Sequence, residues 1–469
     1  MDTVIDFTPT SAPAPIDVHV GHTPLKYRPY TQRHLDEIPQ IRQLRAEDRL
    51  AMKAVAAVLP FRTNAYVVEE LIDWTTVPDD PIFRLVFPQP GMLAPSDLDT
   101  MMDLLRCNAS VAEIEQAAHA IRMRLNPHPA GQMDLNVPWL QGRPLHGLQH
   151  KYAETVLFFP SHGQTCHAYC TYCFRWAQFI GDPDLKMVSR ESEALQNYLL
   201  EHPEVTDVLI TGGDPMIMKA EHLARYIEPL LDPRLSSLHT IRIGTKSVAY
   251  WPYRYCSDDD ATQILRLFAQ VEKAGKQLAI MAHYSHPREL EPPIAVEAIR
   301  RIRETGAIIR TQAPLIRGVN DASEIWADLW RSVLNKGVIP YYMFVERNTG
   351  PKNYFEVSLD RACDIFRDAY NRVSGLARTV RGPSMSTTPG KVTIDGVAEI
   401  GGEKVFVLHF IQARDPAWVQ HPFFARFDPE ATWLTDLKPA FGKPRFFFEE
   451  DMDRIKQQAL QRWAQYNVN

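Results

Sequence analysis

Several features that would mark other classes of protein are scarce in this sequence. Only six of the 469 residues are cysteine, and their uneven scatter argues against the disulfide framework of a small secreted domain. No apolar run approaches the roughly 20 residues that span a bilayer, and the start, MDTVIDFTPTSAPAP, has no basic segment followed by an apolar one. No basic run could neutralise several successive phosphates, and the net charge is -6. We therefore expect a cytoplasmic protein with neither nucleic acid nor membrane as a partner.

The pattern of apolar residues changes along the chain. Hydrophobic residues make up 45% and charged residues 23%, as in ordinary globular proteins. Residues 1–25 are rich in Pro, Thr and Ala and have no apolar period, which is typical of a mobile or surface-wrapping arm. Across 26–145 apolar residues recur at three- and four-residue spacing, which predicts a helical lead-in domain.

Between residues 146 and 390, short β-rich runs alternate with longer amphipathic segments. The strand candidates are TVLFFP near 155, VTDVLITG near 205, HTIRIGT near 239, QLAIMAHYS near 277, AIIRTQAPLI near 307 and IPYYMFV near 339. Six β-then-α units predict parallel strands in an α/β fold. A full or partial (β/α) barrel fits them better than a flat doubly wound sheet, and six units make a partial (β/α)6 barrel the expectation. Chemistry in such barrels lies at the carboxyl ends of the strands, where TGGDP, HYSHP and RGVND fall.

The last part of the chain, residues 391–469, has a different pattern. In KVTI-DG-VAEI-GG-EKVFVLHF, two turn signals, DG and GG, separate alternating runs and predict a β-meander. The tail DMDRIKQQALQRWAQYN predicts a terminal helix. We therefore expect a C-terminal meander and helix extension beyond the barrel.

Three cysteines, Cys166, Cys170 and Cys173, fall within eight residues and directly follow the first barrel strand. A compact loop can converge three thiolates on an iron–sulfur cluster or on zinc. Structural zinc requires a fourth ligand at a fixed offset, and although His162 and His167 are close, there is no second CxxC pair. Three thiolates on a four-iron cluster would leave one iron open to a ligand. The remaining alternative is three incidental buried thiols.

The spacing C-x3-C-x2-C at this position resembles the radical S-adenosylmethionine superfamily. The resemblance narrows to the lysine 2,3-aminomutase family through, in order, LHGLQHKY, CHAYCTYCFR, VTDVLITGGDP, TIRIGTKS, AHYSHP, TQAPLIRGVND, VIPYYMF and PGK followed by GGEKVFVLHF. It runs from about residue 140 to 412. It implies a radical S-adenosylmethionine barrel core, a [4Fe-4S] cluster, S-adenosyl-L-methionine and pyridoxal 5'-phosphate (PLP). The implied isomerase activity moves an amino group between adjacent carbons through a 5'-deoxyadenosyl radical.

The resemblance also implies which residues bind the cluster and S-adenosylmethionine. Cys166, Cys170 and Cys173 would be the metal ligands. The residues expected near S-adenosylmethionine are Gly212, Gly213 and Asp214 of TGGDP, together with His283 and Gln312.

A second set of residues is implied for PLP and the substrate. Lys391 stands where the family lysine that holds PLP as a Schiff base is expected, and Lys151 lies where residues anchor the PLP phosphate. Arg175 matches the family arginine that binds the substrate carboxylate. Asp321 matches one of two acids that hold the distal ammonium of lysine.

Two departures from the family pattern weaken parts of this assignment. The second acid is expected seven residues before Lys391, where this chain has Ser384. Losing one carboxylate would leave a buried ammonium poorly compensated, which disfavours L-lysine as the substrate. The family arginines upstream of the cluster are replaced here by Lys151 and Thr155, which weakens the inference of PLP.

Three hypotheses follow for function. The leading one is a PLP-dependent radical 2,3-aminomutase whose substrate is an α-amino acid, lysine or another. The alternatives are a PLP-independent radical lyase, dehydrogenase or epimerase, and a non-enzymatic iron–sulfur sensor. The expected partners are a small amino acid and a reducing electron donor of the flavodoxin or ferredoxin type, and a homo-oligomer is left open.

Overall fold

The N-terminal part of the protein is mainly helical. A computed structural model describes residues 25–180 and 192–468, so the expected arm of residues 1–25 lies almost entirely outside the described residues. The helices of this part are α1 Pro39–Arg42, α2 Ala46–Val58, α3 Pro81–Val86, α4 Pro95–Arg106 and α5 Val111–Arg124. Two short antiparallel pairs accompany them, β1 Pro29–Thr31 with β2 Arg62–Asn64 and β3 Trp139–Leu140 with β4 Arg143–Pro144.

An eleven-stranded mixed sheet forms the centre of the molecule. Its strands are β5 Leu148–Tyr152, β6 Thr155–Phe158, β7 Asp207–Ile210, β8 Thr240–Thr245, β9 Gln277–His283, β10 Ile308–Leu315, β11 Ile339–Val345, β12 Arg381–Ser386, β13 Gly390–Ile400, β14 Glu403–Ala413 and β15 Phe423–Arg426. Strands β6 to β12 are parallel and lie in chain order. Strand β5 is antiparallel at one edge, and β13 to β15 are antiparallel at the other. The predicted α/β class is confirmed.

Helices connect the parallel strands and cover the sheet. They are α6 Ser192–Glu201, α7 Ala220–Ile227, α8 Ser247–Tyr250, α9 Ala261–Lys273, α10 Pro293–Glu304, α11 Ser323–Asn335, α12 Lys352–Phe355 and α13 Leu359–Asn371. Helix α10 shows why they pack: its buried residues are Ala295, Ala298, Ile299 and Ile302, a single apolar stripe at helical spacing. This hydrophobic core is continuous with that of the N-terminal helices.

The two edges of the sheet approach each other. Gln412 Nε2, on β14, donates a hydrogen bond of 2.6 Å to Glu154 Oε1, just after β5. Lys151, on β5, donates to the carbonyl oxygen of Thr387, between β12 and β13. Arg414 Nη1 donates at 3.2 Å to the carbonyl oxygen of Leu135. The sheet therefore curves until side chains bridge its ends, although within residues 25–180 and 192–468 no backbone ladder closes it.

The C-terminal meander has one turn fewer than the sequence predicts. The GG signal is a hairpin turn, since Gly401 and Gly402 have φ of 62° and 83° between β13 and β14. The expected turn at DG is wrong: β13 runs straight through Asp395 and Gly396, and the ladder register shifts there as in a β-bulge. Phe410 and its aromatic neighbours form a second hydrophobic core under the meander.

The predicted terminal helix is confirmed as α14, Glu449–Val468. A helix able to span a lipid bilayer does not occur in the part of the chain that the structure describes.

Candidate active site

A cavity of about 330 Å³ opens at the carboxyl ends of the parallel strands. Its wall includes all three clustered cysteines, the TGGDP glycines and Lys391. Strand ends contribute polar groups, among them His283 from β9 and Arg347 just after β11. Because the carboxyl ends of neighbouring parallel strands converge on one edge, residues far apart in sequence share this wall.

Backbone hydrogen bonds to the N-terminal part of the chain and within the loop itself hold the cysteine loop in place. The N-terminal helical part contributes through its backbone, since Tyr169 N donates to Arg62 O at 2.7 Å and Thr171 N donates to Leu85 O at 2.9 Å. Within the loop, Cys173 N donates to Cys170 O at 3.1 Å. The lead-in helices therefore help to fix the loop that carries the cysteines.

The three thiols line one cavity and ionise with difficulty there. Burial raises the pKa of all three thiols, that of Cys173 to about 12. A thiolate at any of these positions therefore needs compensating positive charge, which bound iron would supply. In the described part of the chain, no three His, Cys, Asp or Glu side chains are grouped closely enough to hold one metal ion. Arg175 N donates to Cys173 Sγ at 3.4 Å, the kind of contact that hydrogen-bonds cluster sulfur.

The two histidines near the cysteines do not line the cavity. His162 stacks on the ring of His222 at 4.7 Å and hydrogen-bonds Tyr226 at 2.9 Å. Burial lowers the pKa of His167 to about 3, and its backbone oxygen accepts from Asn64. Neither side chain therefore lines the cavity that the three cysteines line.

The TGGDP segment packs backbone to backbone against the cysteine loop. Gly213 N donates to Gly163 O at 3.1 Å, and a Cβ at Gly213 would lie 2.5 Å from the carbonyl oxygen of Thr165. Gly212 has φ of 145°, a backbone conformation that favours glycine. Both glycines are therefore required by close approach, and both line the cavity as predicted.

Asp214 lies at the cavity wall but has its carboxylate occupied. Its two oxygens accept from Thr245 Oγ1 and from the backbone N–H groups of Met216, Lys246 and Ser247, at 2.7 to 3.0 Å. Those bonds tie the end of β7 to the end of β8. Asp214 therefore positions the segment, and its carboxylate is not free to bind a ligand.

His283 and Gln312 line the cavity side by side, as neighbours in the β9–β10 register. His283 Nδ1 is 3.2 Å from the hydroxyl of Tyr172, which also hydrogen-bonds Ser285 at 2.9 Å. Burial, and then the charge of Lys246, hold the pKa of His283 well below its usual range. The imidazole is therefore neutral at physiological pH.

Lys391, near the start of β13, places its amine over an aromatic wall. Its Nζ lies 4.3 Å from the centroid of the Tyr342 ring and 3.3 Å from Gln412 Oε1. Burial lowers the pKa of Lys391 to about 8. A substantial fraction of this amine is therefore unprotonated near neutral pH, which Schiff-base chemistry requires.

The cavity carries more positive than negative charge. Six basic side chains line it, and two have carboxylate partners: Arg242 with Asp207 at 2.6 Å and Lys246 with Glu289 at 2.7 Å. The other four have no ion pair among the described residues, namely Lys151, Arg175, Arg347 and Lys391. Such a surplus of basic side chains around one cavity indicates a site for anionic ligands.

Arg175 and Arg347 flank one aromatic ring. Their guanidinium carbons lie 5.1 and 4.3 Å from the centroid of Phe174. Burial lowers the pKa of Arg175 to about 9 and that of Arg347 to about 10. Nη1 of Arg175 is buried and has no hydrogen-bond partner within residues 25–180 and 192–468. A buried donor left unpaired beside the cavity is the feature expected of a ligand-binding arginine.

Two predicted substrate positions lie off the cavity wall. The Asp321 carboxylate accepts a hydrogen bond of 3.0 Å from Gly318 N and so caps its own loop. This geometry does not support the expected role of Asp321 in holding a substrate ammonium. Ser384 is fully buried on β12, and its hydroxyl has no hydrogen-bond partner among the residues that the structure describes.

Sequence reasoning missed Arg347, Glu346, Lys246 and Arg414. Arg347 and Glu346 directly follow IPYYMFV, so the rule that places function at strand ends would have found them. Burial holds the pKa of Glu346 well above its usual range. Arg414 approaches from the meander, and no local motif marks it.

Comparison with known proteins decides the family. No family model matches the sequence. The chain is 30% identical over 405 residues to a putative L-lysine 2,3-aminomutase from Aquifex aeolicus, covering 86% of this chain and 93% of that relative. This chain belongs to the lysine 2,3-aminomutase family of radical S-adenosylmethionine enzymes. The L-lysine 2,3-aminomutase of Escherichia coli, a further relative, is 28% identical over 51% of this chain and 68% of its own length.

Solved structures are more distant from this member of the lysine 2,3-aminomutase family. The crystal structure of Streptococcus suis SuiB bound to S-adenosylmethionine is 12% identical, with a TM-score of 0.33 over 59% of this chain and 56% of that one. A likeness this low carries no conclusion about fold or function.

Proposed function

We propose that this protein is a PLP-dependent radical 2,3-aminomutase that moves the α-amino group of an amino acid to the β carbon. The observation that carries the proposal is that Lys391, with a pKa of about 8, shares one cavity with Cys166, Cys170 and Cys173. Family membership supplies the reaction class. The curved sheet would then be the partial (β/α)6 barrel of the radical core.

The residues present fit the groups that this chemistry needs. The three cysteines would hold a [4Fe-4S] cluster. The backbone of Gly212 and Gly213, with His283 and Gln312, would face S-adenosylmethionine. When bound, the cluster and S-adenosylmethionine supply a hydrogen-abstracting radical, and PLP supplies a carbonyl group for the amino nitrogen.

The PLP end of the cavity is assigned from charge. Lys391 would hold the cofactor, and Lys151 would face its phosphate. The charge of Arg414 is the largest electrostatic influence on Lys151 after burial, and the pKa of Lys151 is held well below its usual range. A dianion bound there would relieve this repulsion. Tyr342 and Phe344, stacked 4.8 Å apart, cover the amine of Lys391 and keep water from it.

The substrate carboxylate is assigned to Arg175. Its buried, unpaired Nη1 needs an acceptor, and a carboxylate can take two parallel hydrogen bonds from one guanidinium. Turnover would also need a reducing donor of the flavodoxin or ferredoxin type. We place the protein in the cytoplasm, where such donors occur.

One observation favours a PLP-independent radical enzyme instead. Thr155 lines the cavity where the family pattern has a phosphate-binding arginine, and its hydroxyl lies 3.5 Å from Asp207 Oδ2. It therefore presents no cation. Under this alternative the enzyme would be a radical lyase, dehydrogenase or epimerase.

Anaerobic reconstitution tests the proposal. The protein would be loaded with iron, sulfide and PLP, reduced, and incubated with S-adenosylmethionine and single amino acids. Formation of both 5'-deoxyadenosine and a β-amino acid supports the aminomutase. Deoxyadenosine without a β-amino product supports the PLP-independent alternative. If neither product forms, radical chemistry is contradicted. A variant with Cys166, Cys170 and Cys173 changed to serine should lose both iron and products.

A further inference from the structure

The cationic wall of the cavity bears on which amino acid is bound. The proposed function uses Lys391 and Lys151 for PLP and Arg175 for the α-carboxylate. Arg347 is then left over: it is half-buried, lines the same cavity, and has no ion pair with a carboxylate among the described residues. A guanidinium that faces a cavity without a carboxylate partner predicts an anion that has not yet been assigned.

Arg347 lies close to Arg175, and besides burial its charge also lowers the pKa of Lys151 and of Lys391. It shares the ring of Phe174 with Arg175, so the two guanidinium carbons are at most about 9.4 Å apart. Two carboxylates separated by two or three carbon atoms can each reach one guanidinium across such a gap. A substrate with one carboxylate would leave one of the two arginines unpaired.

A substrate with a cationic side chain would need a free carboxylate in the cavity, and the acids there do not supply one. Asp214 has its carboxylate filled by hydrogen bonds, and Asp321 and Ser384 do not line the cavity. Glu346 remains, and it is almost fully buried next to Arg347 in sequence. A substrate ammonium placed there would also face the positive charge of Arg347.

We infer that the substrate is a dicarboxylic α-amino acid, with Arg175 binding its α-carboxylate and Arg347 binding its side-chain carboxylate. This inference rests on the proposed function and names its substrate class. For glutamate, the C2–N bond would break, a C3–N bond would form, and one hydrogen would pass from C3 to C2. The product, 3-aminopentanedioate, is an isomer, so no net oxidant or reductant is needed.

Three amino acids of similar length separate the possibilities. Glutamate carries the second carboxylate, glutamine is its neutral isostere, and lysine carries an ammonium. With the reconstituted holoenzyme we expect kcat/KM for glutamate to exceed that for glutamine by on the order of 100-fold, as for loss of a charge-assisted bidentate pair. Lysine should react more slowly still. A higher kcat/KM for lysine or glutamine than for glutamate overturns the inference.

Variants of Arg347 locate the contact. Arg347→Gln should lower kcat/KM for glutamate by on the order of 100-fold and change that for glutamine by less than about threefold. Arg347→Lys, which keeps the positive charge but cannot make two parallel hydrogen bonds to a carboxylate, should recover part of the loss. Arg331→Gln, on the exposed face of α11, is the matched control and should have no effect. Equal losses for glutamate and glutamine in Arg347→Gln overturn the assignment.

A binding measurement separates this inference from the proposed function. Glutamate is titrated into PLP-loaded protein without reductant, and the absorbance of bound PLP is followed. Tighter binding of glutamate than of glutamine, lost in Arg347→Gln with iron and PLP contents unchanged, supports the substrate class even if no amino acid is rearranged. Loss of PLP in Arg347→Gln would instead make Arg347 a phosphate anchor and overturn the inference.

Discussion

The lowered pKa of Lys391 predicts a selective, pH-dependent reaction with PLP. Burial brings this pKa to about 8, against about 10.4 for an ordinary lysine. At pH 7.5 the neutral, nucleophilic form is then about a quarter of Lys391, compared with about one in eight hundred for an ordinary lysine. Lys391 should therefore have on the order of 200-fold more neutral amine than an ordinary lysine at that pH, and so react faster.

The direction of the pH dependence follows from which form attacks. Only the neutral amine is nucleophilic, and deprotonation increases as pH rises. Labelling of Lys391 should therefore increase through about pH 8 and level off above it. The assay is a brief exposure of the protein to limiting PLP between pH 6.5 and 9.5, borohydride trapping, and mass spectrometry of the peptides. Lys443, exposed in the same chain, is the internal reference.

Two results would refute this reasoning. Labelling of Lys391 that is no faster than that of Lys443, or that is flat across the pH range, would mean that its amine is not the activated one. The variant Lys391→Ala should abolish PLP retention and leave the iron content alone. Unchanged PLP occupancy in that variant would refute the assignment of this lysine.

Two further substitutions test how the site is supported. Gly213→Ala places a Cβ 2.5 Å from the carbonyl oxygen of Thr165. It should lower the free energy of unfolding in denaturant by about 1–3 kcal/mol and reduce iron loading. The control is Gly375→Ala, where a Cβ would meet no atom of the described residues within 4 Å, and it should change that free energy by less than about 0.5 kcal/mol. Lys246→Met leaves Glu289 buried without its 2.7 Å partner and should cost about 3–5 kcal/mol, part of which the added change Glu289→Gln restores. A Lys246→Met protein as stable as the wild type would contradict the pairing.

The sequence predicts the parallel strands better than the strands at their margin. QLAIMAH contains five successive buried apolar residues, as a strand covered on both faces requires, and all six candidate runs form strands. RGPSMS also forms a parallel strand, β12, although it contains glycine, proline and two serines. Its place is set by pairing with β11, which local composition does not encode.

The candidate site also contains residues that the sequence reveals and residues that only the fold reveals. The cysteines are recognisable because their chemistry depends on spacing within one short loop. Arg347 is marked only by its place just after a strand, and its lack of an ion pair among the described residues is visible only in the fold. Asp321 is the opposite case: an acid in RGVND suggests a ligand, yet one of its oxygens accepts a hydrogen bond from the backbone of its own turn.

The bridging of the two sheet edges by Lys151, Gln412 and Arg414 has a consequence for biosynthesis. Lys391 is synthesised more than two hundred residues after Cys173. At typical elongation rates of about 5–20 residues per second, this interval is roughly 10–40 s. During it, the nascent chain has its thiols in place but lacks the amine and the far wall. The order of translation thus places the three thiols in the polypeptide before the amine that, under the proposed function, retains PLP.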